Sequence, residues 1–488
     1  MIAALLLVPV LASAVAFFLR ANGPRRALLV VTAVAHSGLT AATWIRAPQP
    51  AWEGWLQLDA LGGLVLSITS VLFLVSAVYS IGYLKREGRG ARKDFEEGLL
   101  FDNAPEATFT ACLLLFLAAM TLVTVSQPFG LLWMAVEATT LASAPLIYFH
   151  RHHRSLEATW KYLLICSVGI ALALLGNFFL AVAASDRDGM PLPLVLSALI
   201  AGSPRLHVVW LKAAFLLFLV GYGTKTGLAP LHTWLPDAHS EAPSAVSALL
   251  SGALLNCALL AILRAQQVCV AAGEAAFGRE LLLGFGLLSM AVAAVFIPGQ
   301  TDYKRMLAYS SVEHMGILTL GIGLGGAATF GALLHALNHS FTKAMMFLVA
   351  GNILAVYQSK STEKVRGVLR ALPVSGALWM LGLFAITGSP PFGSFLSEFT
   401  ILKAALDQGR VVVAIAYLIL LAVVFVGMAT AVLEMAQGPR ESLTASPRKE
   451  SFLRIAPPAV LAAAVLLLGV YIPPAVRAAI EEAARALG

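Results

Sequence analysis

Lys225 has the most unusual setting of any charged residue in this sequence. It follows an apolar run that begins at Val208, and Gly227 and Pro230 come directly after it. Proline removes a backbone donor and clashes with the preceding turn, so we expect a helix to break here. A charge beside a broken apolar helix indicates an ion site. The alternative is a lysine at a helix end whose ammonium reaches the membrane surface.

Glu137 is the acid that can pair with this lysine. It lies in a run of apolar residues, LLWMAVEATTLASAPLI. Burying a lone charge is costly, so we expect the carboxylate to be neutral or paired, with Lys225 as its partner. Such a pair can be made and broken as a proton arrives, which a proton relay requires. The alternative is a static structural ion pair.

A second group of titratable residues occurs in the segment HALNHSFTKAMMF. His335, His339 and Lys343 are spaced four residues apart, which places them on one face of a helix. Imidazole can donate and accept a proton near neutral pH, and lysine can lose its proton when it is desolvated. With intervening water, this face predicts a path for protons. A membrane histidine can instead serve only as a hydrogen bond between helices.

Several further residues accompany these two groups. Pro390 and Pro391 interrupt another long apolar run, and Glu398 is the acid that follows them, at a position suited to proton release. Glu313 and His314, in YSSVEHMG, add polar groups near the His335 face. His232 and His239 follow the Lys225 break, and the sequence leaves open whether they feed protons to the lysine or cap helix ends.

Other classes of chemistry lack support in the sequence. The four cysteines are scattered, and no Cys or His spacing is typical of a metal site or an iron–sulfur cluster. No nucleotide-binding loop, dinucleotide fingerprint or nucleophile elbow is present. We therefore predict no metal, no cofactor and no catalytic residue, and we do not read the net charge of +7 as a sign of nucleic acid binding.

The composition shows the environment in which these residues work. Of the 488 residues, 59% are hydrophobic and 12% are charged, against roughly a quarter charged in soluble domains. Runs of about 20 apolar residues cross a bilayer. The sequence predicts an all-α membrane protein with fourteen such runs, at about 1–19, 27–45, 60–83, 108–125, 128–148, 161–184, 207–229, 244–263, 280–298, 307–324, 328–356, 371–401, 411–436 and 456–473.

Lysine and arginine collect in the connections that follow odd-numbered runs, such as those near Arg25, Lys85, Arg305 and Lys364. Since such loops face the cytoplasm, both termini should lie outside the cell. The two interrupted runs lie five runs apart and so cross in opposite directions, which points to inverted repeats. We predict an N-terminal three-helix segment (1–107), a first five-helix repeat (108–266), a second inverted repeat (280–436), and a C-terminal helix and tail (437–488).

These residues resemble a known family over roughly residues 55–440. The matching segments are GYGTKTGLAPLHTWLPDAHSEAPS, LAYSSVEHMG, HALNHSFTKAMMFLVAG and GSPPFGSFLSEF. They are similar to the antiporter-like subunits of respiratory complex I, of Mrp-type cation/proton antiporters and of group 4 nickel–iron hydrogenases. The sequence of these segments, together with WKYLLIC, looks most like that of the hydrogenase-4/formate hydrogenlyase branch.

The resemblance implies fourteen helices, two inverted five-helix units that each contain a broken helix, and proton transfer along a central polar axis. It assigns Glu137 and Lys225 to the acid–lysine pair, the His335 face to the connecting stripe and Glu398 to the outlet. One residue departs from the pattern. Asn256 stands where complex I subunits often have a lysine, and because asparagine does not titrate, the step that bridges the two units must use water or neighbouring groups.

The leading hypothesis is a non-catalytic, proton-translocating subunit of a redox-driven complex in the inner cell membrane. Its expected partners are membrane lipid, other membrane subunits and a cytoplasmic-side oxidoreductase module of the hydrogenase or NADH dehydrogenase type. One alternative is an Mrp-type antiporter subunit that exchanges Na⁺ for H⁺ without redox chemistry. A second is a membrane anchor that has lost transport, and a third is a pairing with a soluble partner for inorganic carbon uptake.

Overall fold

The computed structural model describes residues 1–87, 90, 92–185, 191–438 and 450–488, and these residues are almost entirely helical. The helices are α1 (Ile2–Phe18), α2 (Asn22–Ile45), α3 (Ala60–Arg86), α4 (Glu106–Val125), α5 (Phe129–Ile147), α6 (His153–Ala184), α7 (Leu196–Ala201), α8 (Val208–Thr226), α9 (Trp234–Glu241), α10 (Ser244–Leu249), α11 (Leu255–Ala271), α12 (Ala275–Phe296), α13 (Tyr303–Leu324), α14 (Ala327–Tyr357), α15 (Val368–Ala371), α16 (Pro373–Ile386), α17 (Gly393–Asp407), α18 (Val411–Ala436), α19 (Phe452–Val470) and α20 (Pro474–Arg485). A small antiparallel hairpin pairs β1 (Arg92–Lys93) with β2 (Leu100–Phe101).

Every predicted apolar run coincides with a helix among the described residues. Eleven helices are long and apolar enough to cross a membrane, with α10 and α11 counted as one span. The three remaining runs correspond to α1, which has 17 residues, to the more polar α13, and to the pair α16 and α17. The loop charges at 89, 187, 440, 448 and 449 that contribute to the predicted orientation lie outside the described residues.

The two predicted helix breaks are confirmed. Helix α8 ends at Thr226 and is followed by Gly227 with φ +84°, and α16 ends at Ile386 and is followed by Gly388 with φ +61°. Glycine adopts this left-handed conformation without a Cβ clash, which is why it commonly ends a helix. Each break is followed by a new helix, α9 after the first and α17 after the second.

The helices fall into two series of the same order. The first is α4, α5, α6, the broken α8–α9 and the span α10–α11, and the second is α12, α13, α14, the broken α16–α17 and α18. The fourth member of each series is the broken one, as predicted. The four domain boundaries given above stay a prediction.

Three features of the fold differ from or extend the sequence prediction. The span at 244–271 contains a π-helical turn, Leu250–Leu254, and such turns often accompany functional sites. The run at 328–356 is one continuous helix, α14, of 31 residues. The amphipathic tail forms α20, which buries Ile480 and Ala483 and packs against α3 and α14.

Candidate functional site

Lys225 lies in the last turn of α8 and is fully buried. Its ammonium donates hydrogen bonds to Thr140 Oγ1 at 2.8 Å and to the hydroxyl of Tyr162 at 2.5 Å, and it lies 4.4 Å from the centre of the Tyr162 ring. The negative end of the helix dipole also favours a cation here. The side chain therefore does not extend to the membrane surface, and the reading of Lys225 as a buried ion site is the one that the geometry supports.

Glu137 does not contact Lys225 directly. Among the described residues these two groups form no ion pair; Thr140 lies between them, accepting from Lys225 and donating to Glu137 Oε2 at 3.1 Å. Glu137 is only half-buried within this chain. The expected direct pair is thus replaced by a bridged one. A hydroxyl can accept and donate a hydrogen bond at the same time, so Thr140 links the Lys225 ammonium to the Glu137 carboxyl through two hydrogen bonds.

The other contact of Lys225 is held by a chain of hydroxyl groups. Tyr162 and Ser143 share a hydrogen bond of 2.6 Å, and Ser143 donates in turn to the carbonyl of Thr139 at 2.7 Å. The sequence analysis missed Thr140, Ser143 and Tyr162. A signal for two of them was present, because Glu137, Thr140 and Ser143 are spaced three residues apart and so share one face of α5.

Trp234, the first residue of α9, closes the lysine site. Its ring lies 5.0 Å from that of Tyr162 and 5.9 Å from Lys225 Nζ. The indole N–H donates to the carbonyl of Thr224 at 2.8 Å, an acceptor in the last turn of α8 that also receives the Gly227 N–H at 3.2 Å. A single side chain therefore both supports the break and covers the buried lysine.

His239 connects this site to the second series of helices. It is fully buried on α9, and its ring lies between those of Trp234, at 6.0 Å, and Phe347 on α14, at 5.7 Å. Its Nδ1 hydrogen-bonds the carbonyl of Leu235 at 2.8 Å, and it lies within electrostatic range of Lys343. His232 lies elsewhere, edge-on to Tyr309 at 6.2 Å. Of the two histidines, His239 is the one that packs against Trp234 of the lysine site and lies within electrostatic range of Lys343.

Helix α9 is fixed by charges from both series. Asp237 forms an ion pair with Lys161 of α6 at 2.8 Å and a second one with Arg305 of α13. Asp237 is thus engaged as an anchor at the charged end of the helices. The position of Trp234, and with it the cover over Lys225, depends on this anchor.

Asn256 and a serine pair make further polar links between the two series. Asn256 Nδ2 donates to the carbonyl of Gly252 and to Ser340 Oγ of α14, both at 2.8 Å. Ser251 Oγ in the π-helical turn lies 2.8 Å from Ser311 Oγ of α13. Asn256, which cannot titrate, therefore forms a hydrogen-bonded contact to α14. This helix carries His335, His339 and Lys343, which we call the histidine stripe.

The predicted stripe of α14 faces α13, and the structure brings His314 to it. His335 Nε2 and His314 Nδ1 share a hydrogen bond of 2.8 Å, and the rings of His339 and His314 stack with centroids 5.1 Å apart. All three rings are buried. His314 thus lies between the two histidines of the stripe. It contacts His335 through a ring nitrogen and His339 through the face of the ring.

Lys343 ends the stripe on the side toward the first series. Its ammonium donates to the carbonyl of Leu307 at 2.6 Å and to Ser310 Oγ, both on α13. The buried carboxylate of Glu313 lies within electrostatic range. Like Lys225, this lysine is buried among neutral oxygen acceptors, with an acid nearby that it does not touch.

Glu398 joins the other end of the stripe. Oε2 lies against the backbone of Gly388, where an added Cβ would be only 1.9 Å away. Oε1 is buried and has no hydrogen-bond partner among the described residues. A carboxylate oxygen of Glu398 and a nitrogen of each of His314 and His335 all lie within 4.8 Å of one another. The second break thus delivers the predicted outlet acid to the stripe.

Comparisons with known proteins identify the family and the fold of this chain. Residues 126–425 match the family described as NADH:quinone oxidoreductase/Mrp antiporter, transmembrane. The chain is 36% identical over 432 residues to a hydrogenase-4 component F homolog of Methylacidiphilum infernorum, covering 86% of each chain. It is 28% identical over 392 residues to hydrogenase-4 component B of Escherichia coli; the match covers 77% of this chain and 54% of that relative.

The fold is also found in solved structures. The archaeal membrane-bound sulfane sulfur reductase contains a chain that superposes with a TM-score of 0.86 at 20% identity, over 100% of this chain and 97% of that one. The Mrp complex of Dietzia sp. DQ12-45-1b gives a TM-score of 0.83 at 18% identity, with 100% and 97% coverage. These results confirm the resemblance predicted from the sequence, and the chain belongs to the NADH:quinone oxidoreductase/Mrp antiporter transmembrane family.

Proposed function

We propose that this chain is a proton-translocating subunit of a redox-driven complex of the hydrogenase-4 type. The observation that carries the proposal is the environment of Lys225, a fully buried ammonium held by neutral hydroxyls beside a broken helix. A lysine so placed can release its proton when its surroundings change, because none of the described residues forms a direct ion pair that would fix its charge. The hydrogenase-4 names of the relatives support the choice of complex.

In the proposed path, a proton passes from Lys225 past His239 to Lys343, then along the histidine stripe to Glu398. His314 and His335 share a direct hydrogen bond, and their neighbours on the path are separated by stacked rings or by longer gaps. We propose that water carries the proton across the gaps from Lys225 to His239 and from Lys343 to His339. Asn256 then acts by holding α11 to α14 through Ser340, without carrying a proton itself.

Coupling to the redox reaction would act on the bridged pair of the first series. A cytoplasmic-side oxidoreductase that moves α5 or α9 would alter the Thr140 bridge between Glu137 and Lys225, and so the charge state of the lysine. We place the chain in the inner cell membrane with both termini outside, on the strength of the loop charges. Other membrane subunits and lipid would cover its apolar outer faces.

The test compares two lysines of the same helix. Lys225→Met removes the buried ammonium and keeps most of the side-chain volume. Lys212→Met is the control, because Lys212 is also on α8 but is about a third exposed and pairs with Glu274 at 2.8 Å. We expect Lys225→Met to lower proton translocation per electron at least about tenfold, while Lys212→Met stays near wild type.

The measurement uses the intact complex in inverted membrane vesicles, with a pH-sensitive dye and a parallel assay of electron transfer. Wild-type proton translocation in Lys225→Met would refute the role of this lysine. Affinity purification of the tagged chain tests the redox partner. Recovery of a nickel–iron hydrogenase-like subunit with iron–sulfur absorbance supports the proposal, whereas recovery of small membrane subunits alone, with Na⁺-dependent proton exchange, contradicts it.

A further inference from the structure

Three metal-binding side chains from three different helices meet inside the second series. They are His314 of α13, His335 of α14 and Glu398 of α17, and one ligand atom of each lies within 4.8 Å of the other two. The two histidines are at most 1% exposed and the glutamate is 7% exposed. From the sequence we expected His314 near the His335 face, but not that these two histidines and Glu398 form one cluster, because the three residues belong to no metal-binding motif.

The cluster has unused capacity for bonding. Glu398 Oε1 is buried and lacks a hydrogen-bond partner among the described residues, a situation that costs free energy for a polar atom and more for a charge. The neighbouring nitrogens, His314 Nδ1 and His335 Nε2, point at each other at 2.8 Å. Two ring nitrogens and one carboxylate oxygen thus converge on one small volume.

We propose that His314, His335 and Glu398 bind one divalent transition-metal ion of the Zn²⁺ class. Two imidazoles and one carboxylate are an established ligand set for zinc, with a fourth position left for water. Imidazole nitrogen disfavours Na⁺, Mg²⁺ and Ca²⁺, which take oxygen ligands. Zinc–nitrogen bonds of about 2.0–2.1 Å in tetrahedral geometry place the two nitrogens about 3.3 Å apart, so the rings need to separate by roughly half an ångström.

Ser397 supports this assignment as a positioning residue. Its Oγ lies 2.9 Å from His335 Nδ1, the ring nitrogen that is not bonded to His314. Histidines that bind metals usually donate their second N–H to such a partner, which fixes the ring and its tautomer. On metal binding, the proton shared by the two facing nitrogens moves to the other nitrogen of one of the two rings. When that ring is His335, its Nδ1–H then donates a hydrogen bond to Ser397 Oγ. Glu398 binds as the carboxylate and gives up to water any proton it carries.

Metal binding has a consequence for transport, and this part rests on the proposed function. The metal would occupy the same nitrogens that pass the proton between His314 and His335. Because the proton and the metal compete for these atoms, micromolar Zn²⁺ should block proton translocation and leave electron input intact. Binding of the ion itself does not depend on the proposed path, so the two claims can fail separately.

The experiment adds Co²⁺, a coloured substitute for Zn²⁺, to the purified complex after treatment with a chelator. We expect about one ion per copy of this chain with the visible absorbance of tetrahedral Co²⁺, displaced by Zn²⁺. His314→Gln should abolish this signal, and Ser397→Ala should weaken affinity about tenfold. Gly388→Ala should also weaken it, because the new Cβ displaces the Glu398 carboxylate without removing a ligand. His36→Gln, which alters a buried histidine bound to Ser70 and Thr121, is the control.

Each outcome decides the proposal. Loss of the signal in His314→Gln, weaker binding in Ser397→Ala and Gly388→Ala, and retention in His36→Gln support the site. No tetrahedral signal in the wild-type complex, or the same signal in His314→Gln, overturns it. If Co²⁺ binds as expected and Zn²⁺ leaves proton translocation unchanged, the metal site stands and the proposed proton path through His314 and His335 fails.

Discussion

The two helix breaks place their charges on opposite sides of the interruption. Lys225 precedes the first break, in the last turn of α8, whereas Glu398 follows the second break, in the second turn of α17. Each charge has the sign that the nearer helix end favours, since a C-terminus attracts a cation and an N-terminus attracts an anion. The two helix breaks therefore present a lysine in the first series and a glutamate in the second.

The groups around the two breaks differ in chemistry. Lys225 is surrounded by the hydroxyls of Thr140, Tyr162 and, one bond further, Ser143, which keep their protons near neutral pH. The second break faces imidazoles, each of which has one ring nitrogen that can donate and one that can accept a hydrogen bond. The comparison indicates that the first series is suited to holding a charge and the second to passing a proton onward.

The strongest test of this contrast is the loss of an imidazole from the second series. His335→Gln removes the hydrogen bonds to His314 and Ser397, and we expect proton translocation to fall by more than about tenfold. His36→Gln is the matched control, since His36 is also buried between two hydroxyls but lies off the axis. Equal translocation in the two variants, measured in vesicles by dye fluorescence, would remove the stripe from the path.

A second test locates the connection between the two series. His239→Phe keeps an aromatic ring between Trp234 and Phe347 but cannot carry a proton, and we expect a loss of about tenfold. Asn256→Leu breaks the contact to Ser340 and should cost about threefold at most, because only a positioning hydrogen bond is lost. If Asn256→Leu lowered translocation more than His239→Phe in the same assay, the proton would pass between the two series near Asn256 and not near His239.

A third test, with a smaller expected effect than either histidine variant, concerns the bridge inside the first series. Thr140→Val removes the hydroxyl between Glu137 and Lys225 at nearly constant volume, and water can replace part of it, so we expect about three- to tenfold slower translocation. The neighbouring Thr139→Val is the control, because the Thr139 hydroxyl donates only to the carbonyl of Val136. A Thr140→Val complex that translocates as fast as Thr139→Val would mean that Glu137 acts independently of the bridge.

The sequence by itself determined the architecture and most of the candidate residues. Bilayer thickness and the need to satisfy every backbone group act along the chain, so apolar runs predict the helices. The breaks after Lys225 and before Glu398 follow from local glycine and proline chemistry. The face shared by His335, His339 and Lys343 follows from helix periodicity alone.

Only the tertiary structure decided which of these groups meet. Thr140 and Tyr162 reach Lys225 across 85 and 63 residues of sequence, and His314 enters the stripe from a different helix. The bridged form of the Glu137–Lys225 pair, the packing of His239 against Trp234 and Phe347, and the approach of Glu398 to His314 and His335 were likewise beyond the sequence. Such contacts depend on how helices rotate and pack against one another, and the hydropathy of a single chain does not specify that rotation.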